Sequence, residues 1–384
     1  MNHPHPAIVS ASSCSRDAEQ VASDIAKAFE GHELSQVLFF CSAEYDLPSL
    51  AKALRERFGD TDVAGCTTAG ELTPDGYEQG SVSAVAFLAS DFAVSATLIE
   101  DLEDFQLADA QTCVDGLIVQ CRQRELTPIK GNTFVLTLLD GLSHAEERVL
   151  LTLSSALGSI PHFGGSAGDD IHLSNTHVFF NGRFYDKAAV VLMFNTPHPF
   201  EVFSTHHMRG SDTKLVVTEA DHDSRVVYEL NAEPAALEYA RTIGVKVEDL
   251  NHRIFALNPI AVRYGDEYYV RSIQKVNDDL SLSFYCAVET GIVLTVMQPD
   301  QILKDLEHQV DSLQSQVGES STILACDCFL RRLEVQALDN VADATKLLTT
   351  HHIVGFNSYG EHIAGMHVNQ TFTGVAIGQK TDDR

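Results

Sequence analysis

Three times along this chain, a strand-like apolar run, an amphipathic helix and a second strand-like run end in the same kind of small-residue corner. In the first unit, Gln36 to Cys41 is a continuous apolar run, as expected of a strand buried on both faces. Leu47, Leu50, Leu54 and Phe58 then recur at helical spacing, and Val63 to Cys66 resumes the strand pattern. The second unit repeats the pattern with a strand over Thr133 to Leu139 and a helix over His144 to Leu157, which Pro161 to Gly165 ends. The third does so over Thr322 to Cys326, Phe329 to Leu348 and His352 to Phe356. Strand, helix, strand is the crossover unit of a parallel sheet. The corners read Gly65-Cys-Thr-Thr-Ala-Gly-Glu71, Gly164-Gly-Ser-Ala-Gly-Asp169 and Gly355-Phe-Asn-Ser-Tyr-Gly-Glu361. The first and third share Gly-x-x-[Thr/Ser]-x-Gly-Glu, and the second is one residue shorter. Internal repetition at this level sets the architecture before any single residue does.

Antiparallel signals follow each corner. Val82 to Leu88 alternates weakly. Asn181-Gly182 sits between aromatic runs within Val178 to Tyr185, a hairpin signature. Val262 to Val270 is a second hairpin candidate, and His367 to Ile377 is a final strand-like stretch. The fold class is therefore α/β, with mixed sheets and repeated βαβ units. A polar stretch from Asp221 to Glu233 precedes a Pro234-led helix over Ala235 to Arg241 and marks a division. The expected parts are an N-terminal segment (1–30), a first module (31–225) and a second module (226–380). Ile302, Leu306, Val310, Leu313 and Val317 form one apolar helical face, expected to pack on the second sheet.

The chain has 384 residues and a formal net charge of −28. So acidic a surface repels phosphate backbones and anionic lipid heads, which argues against nucleic acid or membrane as a partner. No apolar run reaches the roughly 18 residues needed to span a bilayer. The N-terminus lacks a secretory pattern. Eight cysteines in a chain this long are no disulfide framework, and Cys41, Cys66, Cys286 and Cys326 sit in apolar runs, as reduced thiols of a cytoplasmic protein would.

Gly pairs around a hydroxyl residue, where a parallel strand leaves the sheet, are where open α/β folds take ligands. Gly65, Gly70, Gly165, Ser166, Tyr359, Gly360 and Glu361 are the binding candidates. No corner matches a phosphate loop or a dinucleotide fingerprint, and the acid after each would repel phosphate. No Gly-x-Ser-x-Gly elbow exists, so an enzyme is not expected. Cys326-x-Cys328 has no second pair at zinc spacing and fits a strand end. Adjacent histidines at 206–207 and 351–352 point to opposite faces of a strand, so each pair offers one inward ligand at most. No Cys-x-x-Cys-His is present, so haem would be noncovalent and need one axial ligand. His367 and His207 are the candidates, weighed against half-buried strand histidines satisfied by neighbours. Tyr185, Tyr269 and Tyr359 stay open as alternatives. Arg263 and Arg271 flank the second hairpin and could meet a ligand's carboxylates, or merely pair with Glu267 or Asp266.

The corners, with Val217-Thr218, Pro234-Ala235, Cys326 with Arg331, and Gly360-Glu361 followed by Asn369-Gln-Thr371, resemble the FIST family of F-box and intracellular signal transduction proteins. The resemblance covers about Val37 to Ile377, as an N-terminal and a C-terminal FIST module. It implies a sensory protein that binds a small ligand and acts on a signalling partner. The Met366-to-Gly374 stretch is similar to the haem-binding nitric-oxide-sensing group, NosP. That likeness implies haem b, nitric oxide as ligand, a partner histidine kinase, and an influence on cyclic-di-GMP signalling and biofilm. It adds Asn369 to the site residues. The alternative is a haem-free sensor of a metabolite such as an amino acid. In that case the corners' N–H groups would hold a carboxylate, and Glu361 or Asp169 an amine. Homodimerisation is left open.

Overall fold

The computed structural model describes residues 6–265, 267–318 and 320–380, with the side chains of Ser320 and Ser321 excepted. The first residues of the chain, read above for a secretory signal, therefore lie mostly outside the described residues. The first unit contains β1 (Ile8–Ser13), α1 (Ala18–Ala28), β2 (Leu34–Ser42), α2 (Leu47–Phe58), β3 (Val63–Thr68), a hairpin of β4 (Glu71–Thr73) and β5 (Gly76–Glu78), and β6 (Val82–Leu88). The second repeats that order: β7 (Ala93–Ile99), α3 (Leu107–Gln123), β8 (Thr133–Leu139), α4 (Glu146–Leu157), β9 (His162–Ser166), the hairpin β10 (Val178–Phe180) and β11 (Arg183–Tyr185), and β12 (Ala189–Asn195). The third begins with β13 (Phe200–Thr205) and is then interrupted. The insertion holds β14 (Met208–Asp221), β15 (Val226–Leu230), β16 (Glu233–Pro234), α5 (Ala235–Ile243), α6 (His252–Leu257), β17 (Ile260–Tyr264), β18 (Glu267–Arg271), β19 (Ile273–Val276), β20 (Leu282–Phe284) and β21 (Val293–Pro299). The third unit resumes with α7 (Ile302–Val317), β22 (Ser320–Cys328), α8 (Phe329–Ala337), α9 (Val341–Thr350), β23 (Ile353–Ser358), the hairpin β24 (Glu361–Ile363) and β25 (Met366–Val368), and β26 (Phe372–Gly378).

Each unit builds a four-stranded sheet of the same order: β1-β6-β2-β3, β7-β12-β8-β9 and β13-β26-β22-β23. The crossover pairs β2–β3, β8–β9 and β22–β23 are parallel and their neighbours antiparallel, so the sheets are mixed, as expected. Each unit gives its hairpin away. β4–β5 extends the third sheet, β10–β11 the first, and β24–β25 the second. The exchange is cyclic, so no unit completes its own sheet.

Period-two alternation then sorts the side chains. Leu38 and Phe40 of β2 face a common interior with Phe134 and Leu136 of β8 and Leu324 and Cys326 of β22. Phe40 stacks on Phe356 at 4.7 Å, and Phe134 on Phe194 at 4.9 Å. The alternate residues, Val37, Phe39 and Cys41 on β2, face outward onto α1 and α2. Both faces are buried, which is why these strands are continuously apolar in sequence. Leu306, Val310, Leu313 and Val317 of α7 cover the third sheet beside Ile323 and Ile353, in line with the apolar face read from their spacing.

The insertion forms a separate sheet, β18-β17-β21-β14-β15-β20-β19, with β16 on β15. Position 225, expected to divide the modules, lies in this sheet between β14 and β15. The stretch expected to be mostly helical over 329–348 is two helices, because Asp339 adopts φ 58° and ends the first. The helix expected from His144 starts at Glu146, after His144 at φ 57°. The stretch from His367 to Ile377 is likewise broken, at Gln370 with φ 53°. No helix among the described residues is long and apolar enough to cross a membrane.

Candidate functional site

The three corners meet one another where their parallel strands end. Ala69 N–H donates to Asn357 O at 2.9 Å, and Asn357 N–H to Gly70 O at 2.7 Å. Gly168 N–H donates to Thr67 O at 3.0 Å, Ser166 N–H to Gly360 O at 2.8 Å, and Tyr359 N–H to Ser166 O at 3.2 Å. These donors were expected to hold a carboxylate; instead the corners hold each other, because hairpin exchange draws every corner toward its neighbour's sheet. The leading glycines have a structural reason. A Cβ at Gly65, Gly164 or Gly355 would lie 2.0, 2.0 or 1.8 Å from the carbonyl oxygen of Phe39, Thr137 or Ala325 on the adjacent parallel strand.

The acids closing the first and third corners are buried clamps. Glu71 accepts from Thr68 Oγ1 at 2.5 Å and from Ser81 N–H and Oγ at 3.0 and 2.8 Å. Glu361 accepts from Ser358 Oγ at 2.6 Å and from Thr371 N–H and Oγ1 at 3.0 and 2.8 Å. Burial pushes both carboxyls up to about 7, against the pull of those hydrogen bonds. Asp169 accepts from Leu173 N–H at 2.9 Å and from Ser174 and Asn175 N–H at 2.8 Å each, as well as from the Tyr359 hydroxyl. Burial alone would raise its pKa, but the Tyr359 hydroxyl and these N–H donors outweigh it and hold the carboxyl below the ordinary range. Glu361 and Asp169, expected to hold a ligand's amine, are thus spent on the fold.

One polar cleft of about 350 Å³ does open beside the first corner. Its floor is Thr68, Gly70 and Glu71, and its walls are Ser42 to Glu44 of the first unit and Asp169 to His177 of the second. Arg16, ion-paired to Glu44 at 2.8 Å, stands at its rim. Gln79 reaches across to Asp170 at 3.3 Å, and Asp170 is tied to the buried Arg332 of the third unit at 2.8 Å. Arg332 Nε and Nη1 have no hydrogen-bond partner among the described residues. The cleft therefore touches two units directly and the third through one ion pair.

Of the residues singled out in sequence, Gly70 lines this cleft, and Asp169 and Asp170 border it. Gly65 is under β2, and Gly165 faces Cys326 and Phe356 in the core. Ser166 is fully buried, 3.0 Å from His362 Nε2, whose Nδ1 meets Thr137 Oγ1 at 2.9 Å. Among the described residues no acid hydrogen-bonds that imidazole, and the serine is fully buried. Arg263 stacks over Tyr268 and donates to Gly265 O, on a hairpin away from the cleft; Asp266, weighed with Glu267 as an alternative partner, lies outside the described residues. Arg271 donates to Val270 O. Asn369 accepts from Ser272 N–H and Cys286 Sγ.

His207 is engaged at both nitrogens, by Glu334 at 2.8 Å and Arg331 at 2.8 Å, so it has none to give a metal. His367 differs. Nδ1 is 3.3 Å from Glu147 Oε1, and Nε2 is buried with no partner among the described residues. An imidazole steadied by a carboxylate is the donor arrangement of metal sites. The space does not fit a macrocycle, however. His367 is 4% exposed, and a Cβ on Gly360 would lie 2.0 Å from Nε2. As the corners stand, haem does not fit at His367 or at His207.

Sequence reasoning missed Glu147, Cys286 and Arg332, which sit far apart in the chain and carry no local motif. The clamps were signalled by a hydroxyl residue three positions before each glutamate, read as part of a ligand site.

Comparison with known protein families matches the FIST N domain over residues 35–233 and the FIST C domain over residues 235–364. No curated protein matches the chain. With both domains present in order over most of its length, the chain belongs to the FIST family, whose domains are sensor modules of signal transduction.

Proposed function

We propose that this chain is a sensor rather than an enzyme, that its guest is a small polar metabolite such as an amino acid held in the cleft, and that a partner histidine kinase reads the result. The observation carrying this reading is the cleft's position. Its floor is a corner hydrogen-bonded to both other corners, so a guest that prefers one seating of those corners shifts all three units together. Arg16, Glu44 and Asp170 offer both signs of charge for a zwitterion. The test is thermal unfolding of the full chain against an amino-acid panel. A guest at about 100 times its Kd stabilises by about 2.7 kcal/mol. A stabilising compound whose effect is lost in Ser42→Trp supports the reading, whereas no shift across the panel, or a shift that survives the filled cleft, removes it. Altered kinase autophosphorylation with that compound is the expected output, with cyclic-di-GMP and biofilm changes downstream.

A second reading, noncovalent haem b with nitric oxide as the signal, is favoured by the unpartnered His367 Nε2. It requires the third corner to move away from that ring. A visible spectrum after haem loading, with and without nitric oxide, decides it. A Soret band that shifts with the gas and is lost in His367→Ala supports haem, and a free-haem spectrum eliminates it.

A further inference from the structure

At His367 the donors suit a metal while the space excludes a macrocycle. A carboxylate oxygen of Glu147, the Cys286 sulfur and a His367 ring nitrogen lie within 4.8 Å of one another. They come from α4, the segment after β20, and β25. Donor atoms around a tetrahedral zinc are about 3.4–3.8 Å apart, and Glu147 Oε1 and His367 Nδ1 are already 3.3 Å apart. Cys286 Sγ lies within 4.8 Å of both, so a movement of up to about 1 Å closes the set.

The geometry points to a bare transition-metal site, for Zn²⁺ or Co²⁺, held by Glu147, Cys286 and His367 with a fourth position open. Thiolate, imidazole and carboxylate together suit a borderline-soft dication rather than Mg²⁺ or Ca²⁺. One thiolate and one carboxylate match its charge. Arg225 occupies the other Glu147 oxygen at 2.5 Å, and Oε1, which accepts from Ala287 N–H at 2.8 Å, keeps a second lone pair for the ion. The side chains of Cys286 and His367 are buried, and Glu147, 31% exposed, supplies the way in. Binding releases to solvent the Cys286 proton and the proton that His367 Nδ1 directs at Glu147 Oε1, and it ends the 3.0 Å hydrogen bond from Cys286 to Asn369 Oδ1, which also accepts from Ser272 N–H at 3.1 Å. An ion here joins the second unit, the third unit's hairpin and the insertion, at a place separate from the cleft, so its test stands apart from the metabolite test.

The experiment is Co²⁺ titration of the metal-stripped full chain carrying Cys14→Ser and Cys113→Ser, since Cys14 is exposed and Cys113 partly so. The expected result is one equivalent of tetrahedral Co²⁺ with a thiolate-to-metal band that Zn²⁺ displaces. Cys286→Ser abolishes that band and weakens Zn²⁺ by more than the roughly 10- to 100-fold that loss of a supporting residue costs a metal site. X-ray absorption of the Zn²⁺ form needs no further substitution and should show one sulfur at about 2.3 Å with lighter donors at about 2.0 Å. A spectrum of hydrated cobalt, a zinc site without sulfur, or a band that persists in Cys286→Ser overturns the proposal.

Discussion

Replacing Glu71 by glutamine should change how stability depends on pH more than it changes stability itself. In the folded chain this carboxyl keeps its proton up to about 7, whereas an exposed glutamate releases it near 4.5. The folded-state value is raised, so the stabilisation is fully present below about 4.5 and is lost as pH rises through about 7. The gap between those values corresponds to about 3 kcal/mol. Glutamine reproduces the protonated acid: its oxygen accepts from Ser81, and its NH₂ donates to Thr68 Oγ1, the partners 2.5 to 3.0 Å from the native carboxyl. Urea unfolding of the native chain and Glu71→Gln, at about pH 5 and about pH 8, isolates the site from every other titrating group. The stability of the variant relative to the native chain should rise by about 2.5 kcal/mol between the two conditions, because part of the linkage is already lost by pH 5. A difference independent of pH, or one that falls as pH rises, would refute the buried-clamp argument. Glu361→Gln should behave alike and add to it.

Three further outcomes follow from packing and charge. Gly360→Ala drives a methyl against His367 Nε2 and should cost about 1–3 kcal/mol by denaturant unfolding, with most of it recovered in a His367→Ala background. Arg225→Met leaves Glu146 buried with neither its 2.6 Å partner nor solvent, and should cost about 3–5 kcal/mol, with Glu146→Gln restoring part of the loss. Phe356→Ala removes the ring stacked on Phe40 where two sheets meet, and should cost about 3–5 kcal/mol, seen as a lowered urea midpoint with unchanged far-UV circular dichroism.

Local pattern carried much of the fold. The helix over Leu47–Phe58 and the strand over Thr133–Leu139 have the bounds their periodicity predicts, and Asn181 and Gly182, at φ 39° and 90°, turn the expected hairpin. What depends on distant partners was not legible. Nothing in Glu71 to Glu78 says that this hairpin joins a strand about 280 residues later, because hairpin exchange is a choice among chemically similar sheet edges. The insertion after β13 was hidden for the same reason, since β13 pairs with β26 across it. At the site, the repeated glycines were visible, but their role was not. Close approach to a neighbouring strand and close approach to a ligand demand the same residue. Cys286 stands in an apolar run like any core thiol, and only the folded chain brings it beside Glu147 and His367.

Amide hydrogen exchange, with and without the stabilising compound from the amino-acid panel, tests the linkage of the corners to the cleft most directly. Protection should rise together at Ala69 and Gly168 near the cleft and at Asn357 and Tyr359 in the third corner, which a guest in the cleft does not touch. Protection confined to the cleft walls, with the third corner unchanged, would contradict it.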